Sequence, residues 1–100
     1  MKKIDLNSKI LGFDGKPIRD SDKKRDMVLK DLLLNYVGYF QSQDGAELIA
    51  ASVLAHKIYK AVGIIELNED ETKTLKKAVE TPRHVAVVYA AMMERLNNEL

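Results

Sequence analysis

The residues able to do chemistry in this 100-residue chain are few and widely spaced. Two histidines, His56 and His84, stand far apart, and neither is followed three or four residues on by the second His, Cys or Glu that a helical metal site needs. Both read as packed or surface histidines. The acidic run Glu66, Glu69, Asp70 and Glu71 has the oxygen atoms to attract a divalent cation, but it lacks the alternating ligands, central glycine and twelfth-position Glu of a calcium loop. Carboxylates at the start of a helix account for the run without a ligand, since the helix dipole favours negative charge there. There is no cysteine nucleophile, G-x-S-x-G elbow, Walker loop or Gly-rich dinucleotide turn. The reading is therefore of a non-enzyme, with no catalytic, cofactor or metal residues assigned.

Positive charge offers a second kind of chemistry. Lys23, Lys24 and Arg25 form a cluster, preceded by Lys2, Lys3, Lys9, Lys16 and Arg19, so the first quarter holds eight Lys/Arg against four Asp. Phosphate backbones are held by such residues, which makes Lys23, Lys24 and Arg25 the candidate nucleic-acid contacts. The interspersed aspartates and a whole-chain charge of only +1 favour a solvated segment instead. Tyr36, Tyr39 and Phe40 gather aromatic rings, which the same reading assigns to core packing with hydroxyls at the surface.

The elements that would position these residues follow from periodicity. Apolar residues make up 46% and charged residues 31%, the balance of a soluble globular domain, and the length suits one domain with its own core. In residues 1–22, Ile4 and Leu6, then Leu11 and Phe13, alternate with polar neighbours ahead of Asp14-Gly15 and Pro17. That pattern predicts a short strand or hairpin turning at Asp14-Gly15, or an extended arm that leans on the helices or pairs with another chain. Residues 23–100 read as a helical bundle. A first helix, capped by Ser21 or Asp22, runs to about Phe40, with Val28, Leu29, Leu32, Leu33, Tyr36, Val37 and Phe40 on one face.

Residues 46–65 form the longest nearly continuous apolar segment, and the spacing predicts a central helix opened by an Asp44/Glu47 capping box. Between residues 46 and 55 only Glu47 and Ser52 are polar, so this half is expected to be surrounded by other elements, with burial falling off toward Lys57 and Lys60. It is expected to be the post against which the first and last helices pack, and Gly63 to stop it in a left-handed cap. Ile64 to Leu67 form an extended connector. Asn68 and Glu71 predict a second capping box for a surface helix over residues 69–80. Thr81-Pro82 then predicts the start of a fourth helix reaching about Asn97.

That fourth helix is apolar almost all round from Val85 to Met93. Such excess predicts either a sandwiched position or a surface awaiting a partner, and the partner is favoured. Ile4, Leu6, Val87, Ala91 and Met93 are thus the candidate protein interface. The fold class is mainly α, a small four-helix domain with a short N-terminal β-hairpin or extended arm. No apolar segment is long enough to span a bilayer, and no signal-peptide core follows Lys2 and Lys3. With no cysteine, the chain fits a reducing, cytoplasmic compartment.

The order of these features resembles a loose group of small phage and prophage proteins that open with a short I-D-L strand and a D-G-K-P turn and continue into helices. The carrying residues are Ile4-Asp5-Leu6, Asp14-Gly15-Lys16-Pro17, Leu32-Leu33-Leu34, Ala55-His56-Lys57-Ile58-Tyr59 and Leu67-Asn68. The resemblance implies a protein of the host cytoplasm that binds another protein, in assembly or against a host factor, and it transfers no functional residues. Together with the missing catalytic set, this makes a self-associating protein-interaction module the first functional expectation. A small nucleic-acid-binding or regulatory protein using the basic N-terminal quarter is the second.

Overall fold

The computed structural model describes residues 2–20, 24–80 and 85–99. It is mainly helical. Among these residues the order is β1 (Lys2–Asp5), β2 (Arg19–Asp20), β3 (Arg25–Asp26), α1 (Leu29–Gly38), α2 (Gly45–Lys60), β4 (Ile64–Leu67), α3 (Glu69–Ala78) and α4 (Ala86–Glu99).

The N-terminal segment is tied into the fold rather than left as an arm. β1 pairs antiparallel with β4, placing Ile4 opposite Ile65 and Lys3 opposite Glu66. Alternation then divides the faces: Ile4, Ile65 and Leu67 point into the core, while Lys3 and Glu66 stay outside, 3.6 Å apart. The expected connector over residues 64–67 is thus extended, and its partner is the first strand. A turn does form at Asp14-Gly15, where Gly15 takes φ +78° and its N–H donates to the Gly12 carbonyl. Its arms are residues 10–12 and 16–18, and β1 is not one of them: Gly12 N–H donates to Lys16 O and Ile18 N–H to Ile10 O. β2 and β3 then form a two-residue antiparallel ladder.

α1 begins at Leu29, well after the expected caps. Ser21 and Asp22 lie outside the described residues, and the residue before the helix, Val28, offers no side-chain cap. The first helical donors are met from elsewhere in the chain: Leu29 N–H donates to Ser8 O at 2.8 Å and Lys30 N–H to Leu6 O at 3.1 Å. Carbonyls of the N-terminal segment do the work of a capping side chain. Gly63 does adopt a left-handed φ of +78°, but α2 has ended earlier, at Lys60 with an extended Ala61 as its C-cap, so Gly63 turns the chain into β4 instead.

α1, not α2, is the post of the bundle. Its stripe of Leu29, Leu32, Leu33, Tyr36 and Val37 is buried, and α1 touches α2, α3 and α4. α2 packs on α1 and α3, whereas α4 leans on β1 and α1. The Tyr36 and Tyr89 rings meet at 6.3 Å between centroids, and the Tyr89 hydroxyl donates to the Val79 carbonyl, joining α4 to the end of α3. Asn68 and Glu71 form the expected capping box of α3. The Thr81-Pro82 start of the last helix and His84 lie outside the described residues.

Candidate interaction site

α2 is where sequence and structure part most usefully. Ala51, Leu54 and Ile58, spaced by three and four, are its buried stripe. The expectation that its first half is surrounded is wrong: Leu48, Ile49 and Val53 are exposed, Ile49 by 68% and Val53 by 61%. Burial does not decline along the helix either, because Ile58 near its C-terminal end is as buried as Leu54. The physical reason is that α2 is covered on one side only, by α1 and α3, so apolar residues on its opposite side meet water.

Several interactions hold this helix in place while its outer side stays clear. Asp44 caps the helix by accepting from the Ala46 N–H at 2.9 Å, one residue short of the Glu47 N–H that the expected capping box would use. Glu47 does not close the box; it takes Lys77 of α3 as ion-pair partner and the Ser42 hydroxyl at 3.4 Å. Lys30 of α1 reaches the carbonyls of Tyr59 at 3.0 Å and Ala61 at 2.8 Å, placing a cation on the negative end of the helix dipole. Lys57 donates to Glu66 O at 2.8 Å and to both Glu71 carboxylate oxygens, at 2.9 and 3.0 Å. Burial pushes the Glu71 carboxyl up, but the Asn68 backbone N–H and the Lys57 ammonium outweigh it and hold the group below the ordinary glutamate range. The Lys77 ammonium is raised above its ordinary range by its hydrogen bond to Glu47.

Beside the exposed row runs an open groove of about 510 Å³ between α1 and α2. Leu34, Val37, Phe40, Leu48, Ala51 and Tyr59 are among its lining residues, with Ser52 and His56 adding polar atoms. His56 Nδ1 lies 2.9 Å from the Ser52 carbonyl, one turn back on the same helix. Of the three aromatics expected in the core, Tyr36 is buried, Phe40 is half-buried in this groove and Tyr39 is exposed.

The interface residues read from the sequence are placed elsewhere. Ile4 and Leu6 have no exposed surface and belong to the chain's own core, so no partner can reach them in this fold. Val87, Ala91 and Met93 are half-buried and pack against that core, while Val88, Met92 and Leu96 are buried. Much of the apolar surface of α4 is thus taken up within the chain, while Val85, Ala86 and Ala90 stay exposed. What the sequence reading missed is the outer face of α2. Its signal was present, since the helix is apolar all round, but that pattern was read as burial.

The basic cluster is described only in part. Lys23 lies outside the described residues, Lys24 is exposed with a left-handed φ of 55°, and Arg25 pairs with Asp31 at 2.9 Å. Lys9 pairs with Asp26 at 3.1 Å, and Arg19 donates to the Lys24 carbonyl at 2.6 Å. Internal acceptors therefore take up much of the positive charge that phosphates would need. In the acidic run, Glu71 faces Lys57, Glu66 faces Lys3 and Glu69 faces Lys73 at 3.9 Å. No group of three or more metal-ligating side chains forms among the described residues, and no described helix is long and apolar enough to cross a membrane. No protein-family model, curated protein or solved structure matches the chain.

Proposed function

We propose that this chain is a non-enzymatic protein-interaction module that self-associates and acts by holding another protein, with the outer face of α2 and the adjoining α1–α2 groove as its contact surface. The observation that carries this reading is the exposed row Leu48, Ile49, Val53 and Tyr59 along one helix. Large apolar side chains gathered in this way are disfavoured in water and are the usual mark of a binding face. The groove beside them is bounded by apolar side chains, with a few polar atoms to set orientation. Phage encoding and work in the host cytoplasm belong to the same proposal, supported by the I-D-L and D-G-K-P resemblance and by the absence of cysteine.

Sedimentation equilibrium of the native chain across the micromolar range tests the self-association. A reversible oligomer that dissociates on introduction of Ile49→Lys is expected. A strict monomer at every concentration, or an oligomer indifferent to that substitution, would sink the proposal.

A further inference from the structure

We draw no further inference here: the strongest candidate, the exposed apolar row Leu48, Ile49, Val53 and Tyr59 on the outer side of α2, belongs to the contact surface already proposed, and nothing in the structure shows what covers it.

Discussion

Truncating Ile49 and Val53 together to alanine should weaken self-association while leaving the folded monomer as stable as before, or slightly more so. Ile→Ala removes three carbons and Val→Ala two. With 68% and 61% of these residues exposed, an interface that covers them fully gains roughly 1.6 and 1.0 kcal/mol per copy at about 0.8 kcal/mol per buried carbon. A two-fold dimer counts each twice, giving a ceiling of about 5 kcal/mol, and partial burial brings a working figure of about 2.5 kcal/mol, or roughly 50-fold or more in Kd. Within the monomer the sign is opposite. Alanine is the better helix former by up to about 0.5 kcal/mol at each site, and exposed side chains contribute little packing. Were either residue buried instead, truncation would cost about 2 kcal/mol or more. Sedimentation equilibrium measures the first effect, and denaturant unfolding at a concentration where the oligomer has dissociated measures the second. A change in Kd of less than about threefold would refute the assignment of α2, because even the smaller working figure predicts far more. A large loss of monomer stability would refute the exposed placement of the two side chains.

Three further outcomes follow from the fold. Ile4→Ala, at a fully buried position opposite Ile65, should lower stability by about 2–5 kcal/mol in urea unfolding; a loss under about 1 kcal/mol would show that β1 is not docked. Asn68→Ala breaks the α3 capping box and should cost about 1 kcal/mol in the same assay, whereas no change would mean that the helix start is held by other contacts. Glu71 has its carboxyl below the ordinary value of 4.5, so its ionised form stabilises the fold at neutral pH, and that contribution is lost as pH falls through the lower folded value. The native chain should therefore exceed Glu71→Gln in stability at pH 7, with the gap closing below about pH 4.5. Melting curves at several pH values read this directly, and a gap independent of pH would contradict it.

Local chemistry in the sequence was enough for several features. The Asn68 and Glu71 box needs only residues three apart in the chain, and it forms as read. Asp44 opens α2, the Asp14-Gly15 turn is present, and the stripe of α1 from Leu29 to Val37 is buried. Each depends on a period or a short backbone hydrogen bond, so neighbours in sequence determine it.

Tertiary structure alone decided the rest. α1 starts at Leu29 because carbonyls of Leu6 and Ser8, more than twenty positions away, take its first donors, and a search for a nearby capping side chain looks in the wrong place. β1 finds β4 across some sixty residues, where alternating apolar side chains fit but no local signal names the partner. The candidate interaction site belongs to this second kind. α2 and α4 are both apolar nearly all round, and periodicity cannot say which side of such a helix is wet. Residues 87–89 and 91–93 of α4 are buried or half-buried, while in α2 residues 48–50, 52–53, 56–57 and 59–60 are exposed. That difference in packing, invisible in either segment alone, moves the exposed apolar face from the last helix to residues 48–59.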